Sequence, residues 1–574
     1  MNILQLYSGQ STETGDFIYR IKRTTDGLSL VPGIVAEYAD LVDANPRFLL
    51  DVPFLILHHL SDPDVLPVIS ERKRRGLPTV YELADNFRFS HAHKPEFRRL
   101  GPPAYTVIID EFIRRCDAIQ VNNVTLKACC TGLNDRFIIV PNFVEACSAK
   151  RTEGHDGRLT VGWGGSARHV EDMRQYASVL IRWVQQNPNV RFGVMGAKSI
   201  QRLFAELPSE QVFFRDPGSL EAYFSFLAEL DIGLAPLTPS EFNTCRSDVK
   251  YLEYACMGVA PVCSRYGPYA ELGRTDETIV HFSDSDELIA RLEALRLDPA
   301  LRKRVAIGAH DWVRSNRVSE VRHWQGIVAA YEALSPGIFQ QGSSACLPVT
   351  RASSPEVSNL IKQAVSAARA DQALSGIRAL IGSNFQNYHI HFFYGWALWR
   401  SGKQEQAFAS IRKALEIRPD SIHSLEFAAR LYILNGDFEA AGKMIASALQ
   451  AEPELPTLLA VEAQILQLKG QHMNAIYVLE KCIRKAPQFV DALMAYVQSA
   501  ILLKKSALAE GKLQTLAALI PDSAEVHFYS AVIAHAGGRF DQCENCLRTA
   551  LELQPDHEKS KMLLERLQES GVPA

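Results

Sequence analysis

At 574 residues the chain is too long for a single hydrophobic core, and its length predicts several domains. A composition of 47% apolar, 22% charged and 9% aromatic residues is that of an ordinary globular protein. A net charge of −4, with both signs interspersed, gives no support for nucleic-acid binding along the chain.

The opening MNILQLYSGQ has no basic region and reads as a first strand, not a secretory leader. No stretch reaches the roughly 18 uncharged apolar residues of a membrane span, so membrane contact is expected to be peripheral at most. Eleven cysteines, odd in number and scattered through apolar segments, predict reduced thiols and a cytoplasmic address. Cys543 and Cys546 form a lone CxxC without a second pair, which predicts small core residues on a helix.

After NILQLY, strand runs alternate with helical patterns. FLILHHL (54–60), TVYEL (79–83), AIQVN (118–122) and FIIVPN (137–142) read as strands, VLPVISERKRRG (65–76) and VIIDEFIRRC (107–116) as helices. A charged hinge, SAKRTEGHDGR (148–158), follows, and the alternation restarts. LTVGWGG, VRFGVMG, VFFRD, DIGLAPL, VAPVCS and TIVHF are its strands, with a helix through Tyr176–Trp183 after the first. Near-continuous apolar strands between helices predict parallel sheets covered on both faces. Two such halves make a cleft, with ligands expected at strand carboxyl ends.

Residues 335–355, SPGIFQQGSSACLPVTRASSP, have a linker's composition. Beyond it Pro419, Pro453, Pro487, Pro521 and Pro555 recur every 34 residues. Gly402, Gly436, Gly470, Lys504 and Gly538 keep one phase of this period. Ala407, Ala441, Ala475, Ala509 and Cys543 keep a second, and Ala414, Ala448, Cys482, Leu516 and Ala550 a third. A turn glycine, small residues at helix crossings and a helix-stopping proline define a helix–turn–helix unit. The pattern resembles the tetratricopeptide repeat. An earlier unit, 367–385, keeps Ala373 in phase but lacks the glycine and proline, and a polar helix caps the end. Such repeats present a concave surface to peptides or partner proteins. The expected domains are 1–146, 159–335, a linker 336–353, and repeats with a capping helix 354–574.

Gly162, Gly164 and Ala167 satisfy GxGxxA, but no acidic residue ends the next strand to hold a dinucleotide ribose. The second half offers instead RSDVKYLEYACMG (246–258). On a helix starting near Ser247, positions 246, 250, 253 and 257 fall within about 60° of arc, with Val249, Leu252 and Cys256 beside them for packing. Taken with GWGGSARH (162–169), DIGLAPL and the VCS strand, and with YELADNF (81–87) and FIIVPNFVE (137–145), this resembles a GT-B glycosyltransferase of the group 1 class. The resemblance spans residues 1–335 and implies two Rossmann-like α/β halves, here fused to an all-α repeat solenoid.

It implies a nucleotide-sugar donor, with Arg246 and Lys250 stabilising the departing phosphate and Glu253 accepting the ribose hydroxyls. Gly164, Gly165 and Ser166 let backbone approach the phosphates, with Ser247 at the helix start. Arg168 and His169 stand where the family has Arg and Lys, and Cys245 where many members have a second glutamate. In the first half Asp85 is the first candidate for contacting acceptor or donor sugar, as base if the reaction inverts, and His59 the second. Gly9, Glu82 and Asn86 complete the acceptor side. No metal or other cofactor is required, and DPD (62–64) and SDSD (283–286) read as helix caps. The resemblance implies retention, with the departing phosphate deprotonating the acceptor, a protein or a glycan. A non-catalytic scaffold and a sugar-nucleotide epimerase are the alternatives.

Overall fold

The computed structural model describes residues 2–8, 14–43, 46–89, 95–145, 157–338, 360, 370–383 and 386–569. The expected linker and the start of the repeats lie largely outside them.

Strands β1 (Asn2–Tyr7), β2 (Val35–Asp40), β3 (Phe54–His58), β4 (Thr79–Leu83), β5 (Ala118–Val121) and β6 (Phe137–Ile139) form the first sheet. Its order is β2-β1-β3-β4-β5-β6. The second sheet comprises β7 (Leu159–Gly165), β8 (Val190–Gly196), β9 (Val212–Arg215), β10 (Ile232–Ala235), β11 (Ala260–Ser264) and β12 (Val280–Phe282). Its order is β12-β11-β10-β7-β8-β9. All pairings within both sheets are parallel. Strand order reverses between β1 and β3 in the first sheet and between β7 and β10 in the second. Such switch points open crevices beyond the strand ends. Here they place the ends of β3 (His58, His59) and β7 (Gly164, Gly165).

The chain returns to the first half at its end. Val144 bridges Val318. The helix Val321–Glu332 then buries Trp324, Ile327 and Tyr331 against Ile3, Phe54, Ile56 and Ile138 of the first sheet. The expected boundary at 335 therefore needs correcting, because this helix's apolar face packs on the first half. Gly27 makes that approach possible, since a Cβ there would lie 1.9 Å from the Trp324 ring.

Five helix pairs between Tyr388 and Leu553 follow the 34-residue period, preceded by the helix Ala370–Ser383 and followed by Glu558–Glu569. Ala407, Ala441, Ala475, Ala509 and Cys543 are fully buried, as are Ala414, Ala448, Cys482, Leu516 and Ala550. Cys546 packs beside the cluster that contains Cys543. Gly402, Gly436, Gly470 and Gly538 turn with φ of 71–76°, and Lys504 adopts φ 57° in the same place. That left-handed conformation costs a non-glycine residue about 1–2 kcal/mol. Lys504→Gly is expected to raise stability by up to about 1 kcal/mol, read from the urea midpoint. A lower midpoint would contradict the assignment.

The repeats are docked on the first half along one edge, at the junctions between successive helix pairs. Asn387 donates to the Val42 carbonyl (2.7 Å), and Ser421 Oγ and the His423 amide donate to Asp64 (2.8 and 3.2 Å). Arg115 pairs with Glu452 (2.8 Å), Lys485 with Glu111 (3.4 Å), and Arg98 with Asp522. Beneath these polar contacts Ile422, Leu425, Leu455 and Leu458 share a core with Leu66, Ile69, Ile109 and Phe112. Asp62 does cap its turn, accepting from the Asp64 amide (3.0 Å), and Asp284 caps Ser285–Leu297. The DPD carboxylates also serve the repeats.

Candidate functional site

The helix Val249–Cys256 is buried almost all round, with Tyr251, Leu252, Tyr254, Ala255 and Cys256 in its core. Arg246, Ser247 and Lys250 are half-buried where it begins. Arg246 spans the gap between the halves. Nη1 lies 3.5 Å from Asp85 of the first half, and Nη2 lies 2.5 Å from His169 Nε2. The Arg246 side chain is 16% exposed, and its guanidinium is held between Asp85 and His169 and does not point into bulk solvent.

His169 is neutral: burial and the charge of Arg246 pull its pKa down to about 3. Nε2 therefore accepts from Arg246, and Nδ1–H donates to Asp172 (2.9 Å). The other Asp172 oxygen accepts from the Thr238 amide and hydroxyl (2.9 and 2.8 Å) and from Asn243 (2.7 Å). The sequence motifs do not single out Asp172. Its signal was its place three residues beyond His169, in the first turn of Val170–Gln186.

Lys250 Nζ donates to the Gly164 carbonyl and lies 4.7 Å from the Trp163 ring centroid. A Cβ on Gly165 would come within 2.5 Å of Nζ and 2.8 Å of Trp163, so glycine there seats the lysine. Burial pulls the ammonium down to about 8, Glu253 opposing and Arg246 reinforcing the shift. Ser166 and Arg168 are exposed just beyond. Glu253, three residues after Lys250, accepts from Tyr19 of the first half and from Tyr223, each at 3.0 Å. Burial raises its pKa against the pull of Lys250. A carboxylate has about four lone-pair sites, so the two tyrosines leave about two of them unused.

On the facing side Asp85 is 23% exposed, and burial raises its pKa against Arg246. His59 sits at φ 51°, and its Nε2 accepts the Ala84 amide (2.6 Å). Nδ1 therefore carries the proton and faces Asp16 (3.7 Å). His59 thus lacks the free lone pair of a base. His59, the expected second candidate for contacting acceptor or donor sugar, instead has both ring nitrogens engaged, by the Ala84 amide and Asp16. Asp16, His58 and His59 are the one group among the described residues whose atoms cluster closely enough for a metal, but His59 offers it a proton. Glu82 is also corrected. It is fully buried in an ion pair with Arg20 (2.6 Å) and does not open into the cleft. Asn86 is buried with Nδ2 3.9 Å from Cys245 Sγ. Gly9 lies outside the described residues.

Residues 174–325 match a family model described as "Glycosyl transferase-like", and residues 388–421 match "Tetratricopeptide repeat". The chain joins a glycosyl transferase-like region to tetratricopeptide repeats. HepE of Anabaena in complex with UDP is similar at 14% identity, covering 58% of this chain and all of that one, with a TM-score of 0.43. YrrB, a TPR protein with an unusual peptide-binding site, is similar at 18% identity, covering 33% and 97%, with a TM-score of 0.29. Human superkiller complex protein 3 is 25% identical over 111 residues, 19% of this chain and 7% of that protein. The glycosyl transferase-like match includes Arg246, Lys250 and Glu253 and begins after His169 and Asp172. No helix among the described residues is long and apolar enough to cross a membrane.

Proposed function

We propose that the glycosyl transferase-like region moves a sugar from a nucleotide sugar to a hydroxyl of a protein or glycan, with retention. The carrying observation is the notch in which Arg246, just before the helix Val249–Cys256, faces Asp85 across the cleft while Lys250, in the first turn of that helix, sits on the Gly164 carbonyl. As the sugar–phosphate bond breaks, negative charge grows on the diphosphate, and fixed cations in a half-buried site stabilise it. Glu253 orients the ribose with the lone pairs its tyrosines leave. Asp85 contacts the acceptor hydroxyl or donor sugar, and the departing phosphate takes the hydroxyl proton. No metal takes part in this scheme.

The repeats hold the acceptor or a partner protein in their groove. Deleting them would uncover the apolar surface they share with the first half, so point changes in the groove test this role better than truncation.

Thermal shifts with UDP-, GDP-, ADP- and CMP-sugars test the donor assignment. One donor should stabilise the chain, and Arg246→Ala should abolish the shift. Silence to all four would favour a scaffold, a reading that Cys245 and the occupied Glu253 also motivate.

Lys250 adds a pH dependence. Its ammonium loses its proton as pH rises through about 8, so nucleoside-diphosphate affinity should fall across that point. Binding near the midpoint should take up a proton, because the anion favours the charged form. Calorimetry in two buffers of different ionisation enthalpy reads both effects. Constant affinity across the midpoint would contradict the assignment.

A further inference from the structure

Two thiols from opposite halves meet beside the notch. Cys129 follows the helix Val124–Ala128 of the first half, Cys245 immediately precedes Arg246, and their Sγ atoms lie 3.1 Å apart. Both are free thiols. A disulfide needs a separation of about 2.05 Å, so about 1 Å of approach would close it. Both also line a cavity of 290 Å³ with Asn86, Arg88, Phe89 and Thr244, which gives a small oxidant a way in. Cys245 is fully buried and Cys129 half-buried, so Cys129 meets it first.

The pair is wired to the candidate site. Asn123, six residues before Cys129, donates to the Cys245 and Arg246 carbonyls (3.3 and 3.1 Å). A bond between these sulfurs would tie the segment carrying Arg246 to the facing half.

We propose that Cys129 and Cys245 are an oxidative modification site, closed by a hydroperoxide into a disulfide that fixes the cleft. Cys129 sulfur attacks the peroxide oxygen, the O–O bond breaks, and a sulfenic acid and an alcohol result (water, from hydrogen peroxide). Cys245 sulfur then attacks the sulfenic sulfur. The S–S bond forms, and the hydroxyl leaves as water with the Cys245 proton. The two thiols lose two electrons, which the peroxide accepts. The bond's formation is independent of the function proposed above; its effect on nucleotide binding rests on that reading.

The test treats the full chain with hydrogen peroxide and maps peptides without reduction. The expected product is one linked peptide joining Cys129 to Cys245, lighter by two hydrogens, lost on dithiothreitol and absent from Cys129→Ser. Amides of residues 240–246 should exchange about tenfold more slowly in the oxidised chain only. A linked peptide that is missing, or that pairs Cys129 with Cys130, would overturn the proposal, as would unchanged exchange. Binding of UDP, GDP, ADP and CMP to the reduced chain is measured alongside. If none binds, the nucleotide reading fails, and the peptide map and exchange still decide the disulfide.

Discussion

Arg246→Ala should lower the rate of sugar transfer by about 10²–10³-fold, and Lys250→Ala by a similar factor, each removing about 2.7–4 kcal/mol of stabilisation from the breaking bond. The two cations differ in how they are held. Arg246 uses separate nitrogens for His169 and Asp85, a fork that lysine cannot reproduce, so Arg246→Lys should recover little. Lys250 is held by the Gly164 carbonyl and the Trp163 face, so Gly165→Ala should mimic its loss by displacing Nζ. Steady-state transfer kinetics with the donor found by thermal shift read all four variants. Because both groups serve one charge, the double variant should lose less than the product of the single effects. Single losses under about threefold would place the chemistry elsewhere.

Glu82→Ala should cost about 3–5 kcal/mol of folding stability, the largest structural effect expected. Arg20 and Glu82 are both buried, with Arg20 Nε and Nη2 on one Glu82 oxygen (2.7 and 2.6 Å). Arg20 also donates to the Val140 carbonyl (2.7 Å) and to Asn142 (3.0 Å). Without Glu82 the guanidinium keeps those hydrogen bonds but loses its counter-charge in a site water does not reach. Glu82→Gln retains an acceptor and should lose less. The urea midpoint with an unchanged slope reads the difference. An alanine variant within about 1 kcal/mol of the parent would show that the pair contributes little.

Much of this architecture is legible in the sequence because burial on both faces makes parallel strands continuous apolar runs, as in LTVGWGG and FLILHHL. The repeats are legible because one geometry imposes one period on Gly402, Ala407, Ala414 and Pro419. Strand β2, VAEYAD, escaped because it is an edge strand with an uneven burial pattern. The docking of repeats on the first half escaped too. Its contacts, such as Asp64 with Ser421, join residues hundreds of positions apart with no local signature.

At the site, helical spacing groups Lys250 and Glu253, but the helix begins at Val249 and not near Ser247 as expected, so Arg246 reaches the site from the segment before it. Their partners Asp172, Tyr19 and Tyr223 come from other elements, and only folding brings them together. Glu82 illustrates the converse error. A carboxylate ending a strand reads as a cleft residue, but side chains alternate along a strand, and this one turns into the protein to meet Arg20.

In the proposed mechanism a diphosphate rests between the Arg246 guanidinium and the Lys250 ammonium in the cleft. A crystal structure of the full chain with the nucleoside diphosphate of its stabilising donor tests this directly. Phosphate oxygens within hydrogen-bond distance of both cations, with the ribose at Glu253, are the predicted result. A nucleotide bound elsewhere, with Arg246 still shared between His169 and Asp85 and Lys250 still on the Gly164 carbonyl, would contradict it.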